Sequence, residues 1–172
     1  MQITYLEMLS PKDLNPADST SAELRIEQAE IPSGELNRFF YLAVGRNWRW
    51  TDRLVWSLAD WQSYVEFPEV QTWIASVRGT PVGYFELATK RAPGVVDPDG
   101  PVEVEIAYFG LLPQFTGKGY GKTLLTRAIE VAWGTPGAAR VWVHTCDLDS
   151  PHALPNYQNR GMKVYKVEEE TD

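Results

Sequence analysis

A glycine-rich stretch at residues 114–121, Gln-Phe-Thr-Gly-Lys-Gly-Tyr-Gly, most narrows what this 172-residue chain folds into. It follows a bulky apolar run at residues 106–112, which Pro113 ends, as expected of a buried strand. The apolar residues after it recur at steps of three and four, which predicts a helix. They are Leu124, Leu125, Ala128, Ile129, Ala132 and Trp133. Because glycines let the N–H groups of a helix start approach an anion closely, the stretch predicts a phosphate-binding loop.

Two common phosphate loops do not fit the spacing. A Walker loop ends in Gly-Lys-Ser/Thr, which residues 121–123 supply, but it needs a glycine where Thr116 stands. A dinucleotide-binding fingerprint fits Gly117 and Gly119 but needs a small residue where Lys122 stands. The spacing that fits is Gln/Arg-x-x-Gly-x-Gly/Ala, which Gln114 and the same two glycines fill.

This loop resembles the acyl-CoA pyrophosphate loop of the GNAT superfamily of N-acetyltransferases. A second motif agrees, because Ala153, Tyr157 and Gly161 follow at steps of four, much like the superfamily's Ala-x-x-x-Tyr-x-x-x-Gly-Phe segment. The chain departs from the pattern at Met162, where Phe is usual, and at Ser150, where Asn is frequent. The resemblance extends over essentially the whole chain, although only its last third carries motifs.

The resemblance implies one domain over residues 1–172, with an α/β fold (a mixed α+β sheet) of six to seven strands flanked by about four helices. In the superfamily the fourth strand is bulged and splayed from the fifth, and pantetheine enters the gap. Gly110 fits this picture, because a glycine inside a strand marks a bulge or a close backbone approach.

The residues themselves predict most of the elements. Apolar, β-rich runs predict strands at residues 2–8, 70–77, 82–88, 102–112, 140–145 and 162–167. Helices are predicted at residues 37–44, behind a Ser33 cap, and at residues 150–160. Residues 24–29 fit either a strand or a short helix, and residues 10–21 read as a loop.

The resemblance also implies acetyl-CoA as co-substrate and no metal. Backbone N–H groups near the end of the bulged strand would hold pantetheine and polarise the thioester carbonyl. Lys118 and the backbone of residues 116–121 would hold the pyrophosphate. The coenzyme-binding residues so implied are Leu111, Leu112, Gln114, Thr116, Gly117, Lys118, Gly119, Tyr120, Gly121, Ser150 and Asn156.

Acetylation of an amine needs a base, because an alkylammonium group has a pKa of about 10. Glu105 is the predicted base: burial at its strand position would raise its pKa, and it matches the Glu of Glu-Ile-x-aromatic in histone-type superfamily members. Glu103, two residues earlier on the same face, is the alternative. Tyr157 is predicted to donate a proton or a hydrogen bond to the departing thiolate. His144 is predicted to be a core residue and His152 a surface residue at a helix start.

Aromatic residues crowd into residues 48–64, which contain four of the seven tryptophans. Their rings would form a wall that holds an apolar group or an ammonium group, or they would pack between helices and sheet; both interpretations stay open. Trp48 and Trp50, beside Gly45 in a predicted interhelical loop, are the candidate substrate-binding residues, together with Glu103.

Composition removes several classes of function. Sixteen basic and 23 acidic residues give a net charge of 16 − 23 = −7, which argues against nucleic acid as the main partner. The sequence has no apolar run of membrane-spanning length and no visible signal peptide, so a cytoplasmic protein without a membrane partner is expected. The lone Cys146 provides no disulfide, and no flanking motif supports it as a nucleophile.

We therefore predict an N-acetyltransferase that acts on a primary amine by direct attack. The acceptor stays open between a small polyamine, an amino acid, an antibiotic and a peptide or protein N-terminus, and the many aromatic residues leave room for a homodimer surface. Two alternatives remain. One is a catalytically idle acyl-CoA-binding module, and the other is a small P-loop enzyme that uses residues 121–123 with Asp147.

Overall fold

Strands and helices lie along the chain largely where the sequence predicts them. The computed structural model describes residues 1–18 and 21–171. The strands are β1 (Gln2–Met8), β2 (Leu24–Gln28), β3 (Val70–Val77), β4 (Thr80–Arg91), β5 (Val102–Leu111), β6 (Ala138–Cys146) and β7 (Lys163–Glu169). The helices are α1 (Gly34–Gly45), α2 (Leu58–Val65), α3 (Tyr120–Trp133) and α4 (Ala153–Asn159). None of the helices within the described residues is long and apolar enough to cross a bilayer.

Two segments that the sequence left loosely defined now have a structure. Residues 24–29, which fitted either a strand or a short helix, contain strand β2. The predicted loop at residues 10–21 contains one 3₁₀ turn, Pro11–Asp13, and its residues 19 and 20 lie outside the described part of the chain.

Polar side chains fix the starts of the first two helices. The Ser33 hydroxyl accepts a hydrogen bond from the Leu36 N–H at 3.3 Å, so the predicted cap of α1 is confirmed. At α2, Ser57 and Asp60 form a reciprocal capping box. The capping box thus fixes the C-terminal end of the loop between these helices, residues 46–57.

The seven strands form one mixed sheet in the order β2-β3-β4-β5-β6-β1-β7. Strands β5 and β6 are parallel, and every other neighbouring pair is antiparallel. The predicted mixed α/β sheet is therefore confirmed. Strand β1 lies between β6 and β7, a position that the sequence did not predict.

Neighbouring residues of β4 show how the sheet is covered on both faces. Phe85 belongs to the larger core together with Leu124 of α3, whereas Tyr84 belongs to a smaller core with Phe40 and Val44 of α1. Successive strand residues point to opposite faces, so α3 and α1 lie on opposite sides of the sheet. A fully buried side chain of this size contributes about 1.5–3 kcal/mol to folding.

Strands β5 and β6 part halfway along their length. Their paired residues run from Val102 with Ala138 to Glu105 with Trp142, and the ladder ends there. The predicted divergence of the fourth strand from the fifth is thus the divergence of β5 from β6. The numbers differ by one because the sequence did not identify β2, at residues 24–29, as a strand. The divergence opens a gap in the middle of the sheet.

The bulge of β5 lies three residues before Gly110, the glycine that indicated a bulge or a close approach in the sequence. Glu86 pairs with Tyr108 and Leu87 with Ile106, so Ala107 is the extra residue. Gly110 has the other role expected of a strand glycine, because a Cβ there would lie 2.5 Å from a Val44 methyl carbon. Gly110 therefore lets α1 pack closely on β5.

Candidate active site

The gap between β5 and β6 is a cleft of about 220 Å³. One wall comes from residues 106–109 of β5 and the other from residues 143–146 of β6. The loop between α1 and α2 contributes Arg49, Trp50 and Asp52. Further lining comes from Met1, Ile3, Asp149, Tyr157 and Glu170. Because β5 and β6 do not pair beyond Glu105 and Trp142, backbone groups of both strands face the cleft.

The glycine-rich stretch forms the turn that leads from the end of β5 into α3. Gly117 and Gly119 have φ values of +78° and +81°, a conformation that residues with a Cβ rarely adopt. Gly119 is the N-cap of α3, and no side chain caps this helix start. The N-terminus of a helix favours an anion through its N–H groups and its dipole. Lys118, exposed in the same turn, adds a positive charge.

The other residues of this turn that were predicted to bind the coenzyme differ in their exposure to solvent. Gln114 and Thr116 are exposed in the turn, and Gly121 lies in the first turn of α3. The Tyr120 side chain is buried, with its hydroxyl donating to a Glu23 carboxylate oxygen at 3.3 Å, so only its backbone faces the turn. The predicted residues 114–121 thus all lie at or just before the start of α3.

One predicted backbone contact is wrong. The N–H of Leu112 was expected to be free for the pantetheine arm, but it donates to the Val82 carbonyl at 2.8 Å. Leu111 pairs with Gly83 in the β4–β5 ladder. The reason is that β5 stays paired with β4 to its end, so that only alternate residues of β5, Leu111 among them, turn their backbone N–H away from β4.

Helix α4 brings Tyr157 to the cleft. Its side chain is 4% exposed, and its ring packs edge-on against Phe109 at 6.2 Å. Burial and, to a smaller extent, the charge of Asp149 raise the pKa of Tyr157 well above its usual range. The phenol therefore keeps its proton at neutral pH, as a proton donor must.

The two other predicted coenzyme residues near α4, Ser150 and Asn156, make hydrogen bonds to backbone groups. The Asn156 amide donates to the Gly121 carbonyl at 3.2 Å and so ties α4 to the start of α3. The Ser150 hydroxyl accepts from the His152 N–H at 3.3 Å. His152 is the exposed N-cap residue of α4, which confirms its predicted place at a helix start.

Glu105 lies where β5 and β6 part. Its side chain is 16% exposed, and its Oε1 lies 3.6 Å from Nδ1 of His144. Burial raises the pKa of Glu105, and this effect exceeds the opposing attractions of His144 and Lys90. A carboxylate with a raised pKa is a better proton acceptor than an exposed one.

His144 is not the core residue that the sequence predicted. Its side chain is 45% exposed and lines the cleft, stacked near the rings of Tyr5 and Trp142. The buried face of β6 carries Val141 and Val143 instead. Both faces of this strand are apolar in sequence, so alternation alone did not reveal which one the helices cover.

Glu103 and Cys146 have little freedom to react. The Glu103 carboxylate accepts a hydrogen bond from Arg140 at 3.2 Å, and Arg140 also binds Glu7 at 2.6 Å. Glu103 does not line the cleft. Cys146 does line it, but burial raises the pKa of its thiol, which keeps it in the poorly nucleophilic protonated form.

The aromatic cluster divides into two parts. Trp50 lines the cleft, whereas Trp48 is half-buried and lies outside the cleft lining. The remaining rings surround a cation of the chain itself: the guanidinium of Arg53 lies 4.2–5.5 Å from the ring centres of Trp56, Trp61, Tyr64 and Tyr108. Most of the predicted aromatic wall is therefore an internal cage.

The cage also encloses a carboxylate that sequence reasoning missed. Glu86 is 0% exposed, and Nη1 of Arg53 donates to its two oxygens at 3.0 and 3.2 Å. The Asn37 amide donates to Glu86 as well, at 3.1 Å. A glutamate within the apolar run of residues 82–88 was the one signal that a buried pair exists, since a buried charge needs a partner.

Comparison with known proteins agrees with this architecture. A sequence model of the acetyltransferase (GNAT) family matches residues 34–162, which is three quarters of the chain. No curated protein matches the chain significantly.

Three solved structures illustrate the similarity of fold. A GCN5-related N-acetyltransferase from Kribbella flavida is 18% identical with a TM-score of 0.62, covering 97% of this chain and 56% of its own. One from Sphaerobacter thermophilus is 17% identical with a TM-score of 0.65, covering 96% and 49%. Aminoglycoside N-acetyltransferase AAC(6′)-Iy, in complex with CoA, is 18% identical with a TM-score of 0.61, covering 87% and 94%. The chain thus spans about half the length of the first two.

Proposed function

The chain belongs to the acetyltransferase (GNAT) family, and from this premise we propose that it transfers the acetyl group of acetyl-CoA to a primary amine of a small molecule. The observation that carries the proposal is the arrangement of the cleft. The glycine turn at the start of α3 lies beyond one end of β5, and Glu105 lies where β5 and β6 part.

Residues of this chain suit both ends of acetyl-CoA. The uncapped N-terminus of α3, with Gly117, Lys118 and Gly119, has the donors and the charge that a pyrophosphate needs. The unpaired backbone edges of β5 and β6 offer donors and acceptors to the amide groups of a pantetheine arm. When bound, the thioester would supply the acyl group.

Two side chains would move the protons. Glu105 would drive removal of the proton from the acceptor nitrogen, either directly or through a group between them. Tyr157, held protonated in the cleft wall, would give a proton to the departing sulfur. The ammonium nitrogen loses one proton before it attacks. It loses a second as the nitrogen–carbon bond forms and the carbon–sulfur bond breaks, and the sulfur gains one.

The rim of the cleft favours a cationic acceptor. Among the described residues, three carboxylates line it, those of Asp52, Asp149 and Glu170, against two cationic groups, Arg49 and the Met1 amino group. The Met1 amino group donates to the Glu170 backbone carbonyl at 2.9 Å. Solved neighbours include aminoglycoside acetyltransferases, so aminoglycosides belong among the acceptors to try, beside polyamines, amino acids and peptides with a free N-terminus.

The test is a panel assay with acetyl-CoA and these amines, followed by thiol release and by the mass of the product. We expect acetylation of at least one amine, and a fall of about 10²- to 10⁴-fold in kcat/KM for Glu105→Gln and for Tyr157→Phe. Glu103→Gln should change the rate little, because Arg140 holds that carboxylate outside the cleft. Binding of acetyl-CoA without product from any amine would favour the idle module instead.

A further inference from the structure

We propose that His144 takes the proton from the acceptor nitrogen. In this proposal Glu105 is a positioning residue: its carboxylate orients the imidazole and stabilises the imidazolium that forms. This inference rests on the proposed acetyl transfer. It assigns the catalytic contact to a residue that the sequence pattern suggested was part of the core.

The positions of the two side chains relative to the cleft carry the inference. His144 lines the cleft and is 45% exposed, whereas Glu105 is 16% exposed and does not line it. Nδ1 of His144 lies 3.6 Å from Oε1 of Glu105. The imidazole therefore stands between the carboxylate and whatever occupies the cleft, so an amine in the cleft meets the imidazole first.

The strands place the pair at the vertex of the cleft. Glu105 pairs with Trp142 in the last rung of the β5–β6 ladder, and His144 is two residues farther along β6 on the same face. The gap opens from this rung. A thioester carried between the two strands would thus have the pair beside it, and the rest of the cleft ahead of it.

The chemistry follows from the two nitrogens of imidazole. If Nδ1–H points at the Glu105 carboxylate, Nε2 carries a lone pair and accepts a proton. The acceptor first loses its ammonium proton to Nε2, which passes that proton to solvent. The neutral nitrogen then forms its bond to the acyl carbon as the carbon–sulfur bond breaks; it loses its second proton to Nε2, and the sulfur gains one from Tyr157. The imidazolium releases this proton to solvent and the phenolate regains one, which restores both side chains.

Aromatic rings and charged groups surround the imidazole of His144. From β5 it faces Glu105, from β1 the ring of Tyr5 at 5.7 Å, and from its own strand the ring of Trp142 at 6.2 Å. Lys166 of β7 lies behind Tyr5, 4.7 Å from the centre of that ring. The charged groups that share the cleft with it are Arg49, Asp52, Asp149, Glu170 and the Met1 amino group. Among the described residues that line the cleft, three carboxylates face two cationic groups, so the cleft beside the imidazole has a net negative charge.

The first test does not depend on an acceptor. The chain has two histidines, so each imidazole can be followed by NMR, with His152 as internal reference. In the wild type we expect the proton of the His144 imidazole to lie on Nδ1, facing Glu105, which the ring nitrogen shifts report. In Glu105→Gln we expect those shifts to change while those of His152 stay in place. Unchanged nitrogen shifts of His144 would overturn the pairing.

The second test uses the amine that the wild-type enzyme acetylates best. We expect His144→Ala to lower kcat/KM by about 10²- to 10⁴-fold, to lose the acidic limb of the pH profile, and to recover part of the rate when imidazole is added. His152→Ala is the matched control and should behave like the wild type. Calorimetry should show unchanged acetyl-CoA binding by His144→Ala, which establishes that the variant is folded.

The outcomes separate the two proposals. A wild-type-like rate and pH profile in His144→Ala would overturn the role of His144 and leave the acetyltransferase intact. Failure of the wild-type protein to acetylate any amine would overturn the proposed function, and the role of His144 in proton transfer with it.

Discussion

Two glutamates on the same face of neighbouring strands, Glu86 on β4 and Glu105 on β5, are held in opposite ways. Glu86 is fully buried and receives hydrogen bonds from Arg53 and Asn37 on both of its oxygens. Glu105 is mostly buried but has one partner, His144, at 3.6 Å. Burial alone therefore does not distinguish a structural carboxylate from a reactive one. The number of partners does, because an unsaturated carboxylate can still accept a proton.

The same contrast extends to the regions around them. The Arg53–Glu86 cage closes the space between α1, α2 and β4, and its guanidinium is surrounded by aromatic rings. The cleft between β5 and β6 is open because the ladder stops at Glu105. We therefore expect changes in the cage to lower stability, and changes in the cleft to lower binding or rate while the fold persists.

The largest effect is expected in the cage. Arg53→Met removes one partner of a buried pair and leaves Glu86 without its counter-charge, which should lower the free energy of unfolding by about 3–5 kcal/mol. Urea unfolding measures this change. Arg127→Met is the matched control, since the Arg127–Glu130 pair on α3 is exposed and should contribute about 1 kcal/mol or less. Equal losses in the two variants would mean that the cage is not what stabilises this half of the protein.

An intermediate effect is expected in the glycine turn. Gly119→Ala puts a Cβ on a residue with φ of +81° and should lower the free energy of unfolding by about 1–2 kcal/mol. Gly121→Ala, two residues later, should instead raise it by about 0.5–1 kcal/mol, because its added Cβ would have ordinary contacts at 3.8 Å and beyond within a helix. The same unfolding experiment compares them. Unchanged stability of Gly119→Ala would show that the turn does not depend on its left-handed residue.

The smallest effect is expected at Glu105, where the sign of the change in stability depends on pH. Its pKa is raised in the folded protein by burial, so folding favours the protonated form and stability falls as pH rises through the folded pKa. Glu105→Gln removes this cost and should be more stable than the wild type at pH 8 but not at pH 4. Unfolding curves at the two pH values measure the difference. A variant less stable at pH 8 would place Glu105 with Glu86, as a structural carboxylate.

The sequence predicted most elements because their signals are local. The Ser33 cap, the helix after the glycine turn and the hairpin of β3 and β4 each depend on residues within a few positions of one another. The turn itself was also predictable, because positive φ values at Gly117 and Gly119 follow from the motif that contains them.

The features that sequence reasoning missed depend on distant partners. Glu86 and Arg53 are 33 residues apart, and nothing near either one identifies the other. The exposure of His144 depends on which face of β6 packs on the core, and this is the face of Val141 and Val143. The place of β1 depends on strand pairing between the two ends of the chain. The bulge at Ala107 has no sequence signal, since alanine is ordinary in a strand.

The most direct test of the account is the unfolding of the protein with acetyl-CoA, with ATP and Mg²⁺, and with neither. Acetyl-CoA at a hundred times its dissociation constant should raise the free energy of unfolding by about 2.7 kcal/mol, in the wild type and equally in Glu105→Gln. ATP with Mg²⁺ should have no such effect. Stabilisation by ATP with Mg²⁺ and none by acetyl-CoA would contradict the assignment of the glycine turn and of the cleft, and with it the proposed acetyl transfer.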